Sequence, residues 1–386
     1  AKPVADREQK SHAKAVELTE QMNALRTRIA TLEQQDAPEF ALAVRDIETP
    51  SDSPIYRRGD FQNLGEPVPR GFLSAIPTST SHVIPSDTSG RLQLADWLTD
   101  VENPVTSRVL VNRIWHHLFG QGLVRTVDSF GVHGESPSHP ELLDYLAVRM
   151  RDDDNWSLKQ TIRHIVLSHT YQMSSTYIPK AAEVDPDNRL LWHMPRRRLE
   201  AESIRDAMMS ASGQLSTERG GPSLGLDLQG NINGLGGNVN PPTWAGKIPE
   251  NIKLRRSVYL PLRRQRPLGD FEILSVFDFP HPSDITGARA NTTVATQALF
   301  LLNAPFVKQQ AEALAERLKS DVPGDNAARV NRLYLLTVSR PAKPEEVAAA
   351  LAFVDSCMNE LKSDEQVAWT QLCHAVLGSN SFLFCE

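Results

Sequence analysis

The sequence predicts a mainly α protein, with a helical bundle core, minor β structure, long irregular loops and an N-terminal amphipathic helical arm. Apolar residues recur at spacings of three and four in several segments of the 386-residue chain, which is the pattern of amphipathic helices. Helix-start signals precede several of these segments, as where Asn103 is followed by Pro104. Strand-like alternation is confined to short runs, so we expect little sheet.

Composition and charge argue against several classes of protein. With 40% hydrophobic and 23% charged residues, the chain has the composition of a folded globular protein. The net charge of -6 argues against a general nucleic-acid partner, and no apolar run reaches the roughly 18 residues that a membrane span needs. Cys357, Cys373 and Cys385 form no CxxC or CxxCH motif, so no zinc knuckle or covalent haem is encoded. Their odd number leaves at least one thiol free or paired outside the chain.

Residues 1–35 form the predicted arm, in which an amphipathic helix spans about residues 4–35. The apolar positions alternate spacings of three and four, as in a heptad seam: Ala15, Leu18, Met22, Leu25, Ile29 and Leu32. With fewer than four heptads, the seam is short for a free-standing coiled coil. We expect it to pair with a helix of another protein chain or of a missing N-terminal half, or to pack on the body.

Residues 36–90 are predicted to be a connector made of loops and short strands. The segment is rich in proline, and it alternates apolar and polar residues only over 41–46 and 53–60, where short strands are expected. The second of these runs turns at Gly59. We expect the connector to wrap around the body that follows.

Residues 91–386 form the predicted helical domain, with a loop-rich insert at about 212–296. A short helix is expected over 91–99, followed by a long one over 104–119 whose apolar residues cover more than half of its circumference. We therefore place the second helix at the centre of the bundle. Further elements are helices from Ser157, from Arg196, over 297–318, over 330–336, from Pro344 and after a cap at Ser363, and a strand over 255–264.

The long helix and the loop after it hold most of the candidate chemistry. Arg108, Asn112 and His116 follow one another at a spacing of four, so they share one face of the helix. That face is either a solvated stripe or a polar seam along a cavity. In the loop, Asp128, His133 and His139 are residues that acid–base or metal chemistry uses.

Part of this loop has a structural explanation. Ser138 and Glu141 match a capping box, in which each side chain bonds the backbone of the other, so they are expected to start a helix. We predict no metal site. Arginines further on are candidate ligand-binding residues, because a guanidinium group binds carboxylate, phosphate or sulfate through two bonds: Arg263, Arg264 and Arg289. These arginines equally suit a role as braces for neighbouring carboxylates.

Many segments of the chain resemble one family. The run from Asn103 to Ala147 is similar to the signature of a planctomycete-specific C-terminal domain family of unknown function. Further stretches match the same pattern in the same order: RRRLEAESIRDAMMSASGQL, GGPS, RRSVYLPLRR, FDFPHPSD, TQALFLLNAPFV, LYLLTVSRPAKPEE and WTQLCHAVLGSNSFLF. The resemblance covers about residues 91–384, and the preceding IYRRGDFQNLGEPVPRGFL resembles the usual connector.

Members of this family are typically parts of large exported proteins that also carry planctomycete-type cytochrome c domains. The resemblance implies a periplasmic or extracytoplasmic location. It also implies a c-type haem in a partner or in a missing N-terminal part, with no cofactor in this chain. It carries over no catalytic residue and no established reaction. The chain departs from the full layout because it lacks CxxCH, which puts a redox role of this chain alone in doubt.

Two functional hypotheses follow. In the first, the chain is the non-catalytic helical C-terminal half of an exported, cytochrome-c-linked assembly that binds a partner chain and a wall or extracellular polymer. In the second, it is an extracytoplasmic oxidoreductase or hydrolase acting on polysaccharide, with electrons passed to a partner haem. The second requires the polar residues of the long helix, the loop histidines and Arg289 to meet in one concave pocket.

Overall fold

A computed structural model describes residues 21–23, 44–76, 78–79, 82–220, 253–260, 272–281 and 283–385. The chain divides into two compact units, one of 1–48 with 220–222 and one of the remaining residues. In the first unit, residues 21–23 are helical and 44–48 have no regular structure. The rest of the predicted arm lies outside the described residues. The helices, sheets, apolar clusters and cleft described below all belong to the second unit.

Helices make up most of the regular structure of the second unit, which confirms the predicted mainly α class. They are α1 (Arg91–Thr99), α2 (Thr106–Phe119), α3 (Pro140–Asp152), α4 (Leu158–Val166), α5 (Pro179–Val184), α6 (Ala201–Ser212), α7 (Glu272–Val276), α8 (Ala295–Asn303), α9 (Pro305–Asp321), α10 (Asn326–Thr337), α11 (Pro344–Asn359), α12 (Glu365–Leu377) and α13 (Asn380–Leu383). Short 3₁₀ turns lie at Arg57–Gly59 and Ser257–Tyr259. No helix among the described residues is long and apolar enough to cross a membrane.

The sheets of the described residues are two antiparallel pairs. In the connector, β1 (Ser53–Tyr56) pairs with β2 (Leu64–Val68), as predicted for the second alternating run. The predicted strand over 41–46 is wrong where it is described, because 44–46 have no regular structure. The other pair joins β3 (Arg197–Arg198) to β4 (Phe384–Cys385), which are far apart in the sequence.

Several helix starts lie where the sequence predicts them. α1 has the predicted bounds, and α11 begins at Pro344. Before α2, the side-chain oxygen of Asn103 accepts hydrogen bonds from the backbone N–H of Val105 at 3.0 Å and of Thr106 at 3.4 Å. Ser157 accepts from the N–H of Gln160 and caps α4. Local side-chain chemistry therefore sets these starts.

Other predicted elements are wrong at their ends. The single helix over 297–318 is two helices, because Pro305 has no N–H to donate and forces Ala304 into an extended conformation. The capping box at Ser138 does not form: the hydroxyl lies 3.0 Å from Nδ1 of His139, which is the N-cap residue of α3. At α12 the capping side chain is Asp364, one residue after the predicted Ser363.

Two arginine-rich segments also differ from prediction. The helix expected from Arg196 begins only at Ala201, because residues 197–198 form β3. The strand expected over 255–264 is a 3₁₀ turn at Ser257–Tyr259, preceded by an isolated bridge between Arg255 and Ser216. Residues 261–264 lie outside the described part of the chain.

Two apolar clusters hold the unit together. The smaller one joins α2, α3 and α4 through Val111, Phe119, Leu146, Met150 and Ile165. The larger one joins the faces of α6 and α8–α13, with fully buried Leu314, Leu318 and Leu377 among its residues. The long helix α2 is therefore central to the smaller cluster, and the predicted single bundle around it is replaced by two cores.

Candidate functional site

A cleft of about 640 Å³ lies between the two apolar clusters. This volume is in the range of sites that bind small molecules or short stretches of polymer. Three parts of the chain line it: the end of α2 with the loop after it, the segment that leads into α6, and the loop between α7 and α8. Because each part comes from a different region of the sequence, the site is a product of the tertiary fold.

The first wall is shaped by Gly120 and Asn112. Gly120 ends α2 with φ +84°, a left-handed conformation that favours glycine, and its N–H donates to the carbonyl of His116 at 2.7 Å. The Asn112 side chain, which is 1% exposed, bonds the backbone N–H of Val124 at 2.8 Å and its carbonyl at 3.0 Å. The chain thereby reverses and brings Gln121 and Arg125 to the cleft.

The second wall includes two consecutive arginines of the extended segment β3. Arg197 and Arg198 pair through their backbones with Cys385 and Phe384. In a strand, neighbouring side chains leave on opposite sides. Arg197 donates to the carbonyl of His117 at the C-terminal end of α2 at 2.7 Å, which suits the negative end of the helix dipole. Arg198 instead donates to Asp278 at 2.6 Å.

The cleft has a strong excess of positive charge. Its lining residues include seven arginines and three carboxylates: Arg113, Arg125, Arg189, Arg196, Arg197, Arg198, Arg289, Asp187, Glu200 and Asp278. Two histidines, His116 and His117, also line it. The chain as a whole is negative, so this concentration of arginine is a local property of the site. An anion is the ligand class that such a site favours.

Only some of these arginines are neutralised by a carboxylate. Arg198 pairs with Asp278, and Arg289 makes two bonds to Glu202, at 2.7 and 3.0 Å, with Glu200 also within 3.2 Å. The pKa of Arg289 is raised, first by its bonds to Glu202. These two arginines therefore brace the walls of the cleft.

Four of the others keep their positive charge available. Arg197 and Arg125 donate to backbone carbonyl groups, of His117 at 2.7 Å and of Asp187 at 3.5 Å. Arg113 and Arg189 are exposed, and the guanidinium group of neither forms an ion pair or hydrogen bond with any described residue. No lysine is among the described lining residues, so the cations of the cleft are the planar, two-pronged type that binds oxyanions.

His116 is the one residue of the predicted polar line that reaches the cleft. The pKa of its imidazole is lowered from the ordinary value of 6.5, first by burial and then by the positive charges of His117, Arg197 and Arg113, while Glu200 opposes them. Its Nδ1 atom is buried and has no hydrogen-bond partner among the described residues. The ring is therefore neutral near pH 7.

The remaining helix and loop candidates lie apart from one another. Arg108 is on the surface in an ion pair with Asp144 at 2.7 Å, and Asn112 is occupied by the backbone of Val124. His133 is exposed, and His139 is a partly buried helix cap. None of these four lines the cleft.

Asp128 and the arginine candidates have separate positions. Asp128 accepts the N–H of Gly287 at 2.8 Å and so ties the loop after α2 to the loop before α8, beside the cleft. A Cβ atom at Gly287 would lie 2.0 Å from an Asp128 oxygen, so this contact requires glycine. Arg289 lines the cleft, whereas Arg263 and Arg264 lie outside the described residues.

Most of the arginines that line the cleft were not predicted from the sequence. Arg113 stands beside the polar line of α2 and not on it, and Arg125 and Arg189 are single residues in loops. The run at residues 196–198 was the available signal, but its interpretation as part of a helix hid its role. No group of three or more histidine, cysteine, aspartate or glutamate residues in the described ranges has a geometry that holds a metal ion.

The comparisons with known proteins identify a family. The model of PSD1, a protein family of unknown function (DUF1553), matches residues 90–354. The match covers more than half of the chain, so the chain belongs to this family. No curated protein and no solved structure matches it.

Proposed function

We propose that this member of the PSD1 family is a non-catalytic binding module whose cleft holds an anionic segment of an extracellular polysaccharide. The observation that carries the proposal is the excess of arginine around one concave site, with Arg113 and Arg189 free of carboxylate partners among the described residues. A guanidinium group forms paired, charge-assisted hydrogen bonds to the oxygens of a carboxylate or a sulfate ester. Such bonds are stronger than those of a neutral site.

The uncharged lining residues favour a sugar over a bare inorganic ion. Gln121 and Asn291 are exposed at the cleft, and their amide groups make no hydrogen bond with any described residue. Amides of this kind donate to and accept from hydroxyl groups. Leu191, which is partly exposed, adds apolar surface to the same lining. Charge, amides and apolar surface together suit a glycan that carries acidic substituents.

The wider assembly remains a proposal that the family resemblance supports. We propose that the module belongs to an exported, cytochrome-c-linked protein in the periplasm or outside the cell, and that the helix predicted over residues 4–35 binds the partner chain. Metal and haem analysis of the native assembly, purified through this chain, tests the idea. We expect a c-type haem to copurify, and its absence from a pure, intact assembly would contradict the link.

The catalytic alternative receives less support from the geometry. Of its six candidate residues, only His116 lines the cleft. The side-chain NH₂ and oxygen of Asn112 are both already hydrogen-bonded to the backbone of Val124. His116 is therefore the one residue of that candidate set placed to contact a ligand in the cleft.

Titration calorimetry with defined glycans tests the binding function. The probes are short dextran sulfate, oligogalacturonate and neutral dextran of matched length. We expect both anionic glycans to bind and neutral dextran to fail. Because the attraction is electrostatic, affinity should fall as the salt concentration rises. Tighter binding of a single-stranded oligonucleotide than of either glycan would contradict the proposal.

A paired substitution locates the site. Arg113→Gln combined with Arg189→Gln removes two charges that make no ion pair with a described residue, so folding should be unaffected. We expect the affinity for the anionic glycans to fall by about tenfold or more, since each charge-assisted bond contributes roughly 1.5–3 kcal/mol. Arg163→Gln is the matched control, because Arg163 is exposed on α4 and does not line the cleft. Equal losses in the control and the double variant would place binding elsewhere.

A further inference from the structure

The two ring nitrogens of His116 have different surroundings. Nδ1 is buried and has no hydrogen-bond partner among the described residues. Nε2 also has no hydrogen-bond partner among the described residues. Unlike Nδ1, it is not buried, so solvent reaches it. Because His116 lines the cleft, Nε2 is the atom that a ligand can contact. The two nitrogens therefore have different roles.

The unpartnered Nδ1 decides where the proton of the neutral ring resides. A buried N–H without an acceptor loses a hydrogen bond that water would otherwise supply, and orphaned N–H groups are rarer in proteins than under-bonded acceptors. Placing the proton on Nδ1 would create such a group. Placing it on Nε2 leaves a bare lone pair in the buried position and a solvated donor in the cleft. The second tautomer is the more stable one.

The charges around His116 keep the ring in this neutral form. Arg113 and His117 are on its own helix, Arg197 approaches from β3, and Glu200 stands at the start of α6. Burial and the three basic groups lower its pKa, against the single opposing carboxylate. A second proton would also have to occupy the buried Nδ1, where no acceptor among the described residues stabilises it.

We infer that His116 is a ligand-contacting residue that acts as a neutral hydrogen-bond donor, with its Nε2–H directed to an anionic oxygen of the bound glycan. This inference rests on the proposed function, and it adds a contact that selects among anionic ligands by the position of one oxygen. The arginines attract any oxyanion, whereas a single fixed N–H selects a ligand that places a sulfate or carboxylate oxygen at one point. With its proton on Nε2, the ring has no basic lone pair facing the ligand.

Two isosteric substitutions test which nitrogen makes the contact. Glutamine can place its amide NH₂ near the position of Nε2, and asparagine can place it only near that of Nδ1. With dextran sulfate as the probe, we expect His116→Gln to bind within about twofold of the native chain. His116→Asn should lose about tenfold, as is usual for a hydrogen bond to a charged group. The reverse order would overturn the inference, and circular dichroism confirms that both variants are folded.

A pH profile separates a neutral donor from a cation. Between about pH 6 and 8, the range in which an ordinary histidine titrates, the native chain and His116→Gln should show the same change of affinity. Any contribution from His117 is common to both and cancels. An affinity that rises more steeply at low pH in the native chain than in His116→Gln would show that His116 binds as a cation, which overturns the inference.

The tautomer itself is measurable without ligand. Nitrogen-15 NMR of the native chain at neutral pH should show a protonated Nε2 and an unprotonated Nδ1 for His116. The opposite pattern, or two protonated nitrogens, would overturn the inference even if glycan binding is intact. Failure of the native chain to bind any anionic glycan would overturn the proposed function and the ligand contact together, while the NMR result on the free protein would still decide the tautomer.

Discussion

Asn112 fixes the loop after α2 by bonding both the N–H and the carbonyl of Val124 from a position that is 1% exposed. Asn112→Ala leaves both backbone groups without a partner. We expect the free energy of unfolding to fall by about 2–4 kcal/mol, since each buried group left unsatisfied costs roughly 1–3 kcal/mol. Urea denaturation measures this loss.

A matched control exists in Asn326, which is exposed at the first position of α10. Asn326→Ala should change stability by no more than about 0.5 kcal/mol, as is usual for a surface substitution. A similar loss in both variants would mean that the bonds of Asn112 contribute little.

The predicted polar line shows what residue spacing can and cannot establish. Helical periodicity placed Arg108, Asn112 and His116 on one face, and all three do lie on α2. Their surroundings nevertheless differ: an ion pair on the surface, a buried backbone clamp and a wall of the cleft. Spacing gives the direction of a side chain from its own helix. What lies opposite is set by segments distant in sequence, so the role of each residue was not predictable.

At the scale of the secondary-structure element, Gly120 both ends α2 and makes room for Arg197. A Cβ atom there would lie 2.6 Å from the Arg197 side chain, in addition to the strain of φ +84°. We expect Gly120→Ala to lower the free energy of unfolding by about 2–3 kcal/mol, of which roughly 1 kcal/mol is backbone strain. Thermal or urea denaturation measures the loss.

Gly324 separates the two contributions to that loss. Its φ is +81°, and nothing lies within 4 Å of its Cβ position. Gly324→Ala should therefore cost only the roughly 1 kcal/mol of backbone strain. Equal losses at the two glycines would show that Arg197 moves aside freely, and the cleft would then be more adaptable than its geometry indicates.

The start of α11 makes stability depend on pH. Arg340 donates two bonds of 2.7 Å to Glu346, whose carboxylate also accepts from the N–H of Lys343, and the pKa of Glu346 falls from 4.5 to about 2. The hydrogen bonds from Arg340, and then the one from the N–H of Lys343, lower this pKa, whereas burial raises it. Because the pKa is lowered in the folded state, the stabilisation is complete above about pH 4.5. It is lost as the pH falls towards 2.

Glu346→Gln tests this linkage. Both partners are partly exposed to solvent, so we expect a loss of about 1–2 kcal/mol at neutral pH and not the full value of the shift. The variant should also lose less stability than the native chain between about pH 4.5 and 2. Glu345→Gln, at the exposed neighbouring position, should leave both quantities unchanged. Denaturant curves at several pH values give the comparison, and parallel acid profiles for native chain and Glu346→Gln would contradict it.

Elements with local signals were predicted well, and those with distant partners were not. The starts of α1 and α11 depend on nearby residues, so the sequence indicates them directly. The stop at Pro305 was equally local, and the continuous apolar pattern on both sides concealed it. By contrast, Arg197 and Arg198 form a strand only because the C-terminal Phe384 and Cys385 pair with them. Local sequence propensity does not indicate a pairing partner that is so distant in the chain. The second wall of the cleft, which this pairing forms, was therefore not predicted.

At the scale of the whole unit, the two apolar clusters differ in size, and their stabilities should differ with it. The larger cluster buries complete faces of α9 and α12, whereas the smaller one depends on α2, α3 and α4. Local opening requires less free energy where less apolar surface is buried. We expect backbone amides of α9 and α12 to exchange hydrogen more slowly than those of α2 and α4 at neutral pH.

Hydrogen exchange followed by mass spectrometry measures this order. Amides within α11 are an internal reference, because this helix packs in the larger cluster through Ala350, Val354 and Cys357. Equal protection in both clusters would mean that they open as one cooperative body.

The mainly α class was predictable from periodicity, but the division into two cores was not, since it depends on which apolar faces meet.

The three thiols differ in accessibility. Cys357 and Cys373 are buried, and burial raises the pKa of Cys373 far above its ordinary range, so both resist alkylation in the folded chain. Cys385 is exposed, and its backbone pairs with that of Arg197 in a wall of the cleft. A fluorescent maleimide would therefore attach to one position of the native chain without engineering. The dye would stand on the strand beside the arginines, where its emission would report ligand occupancy directly.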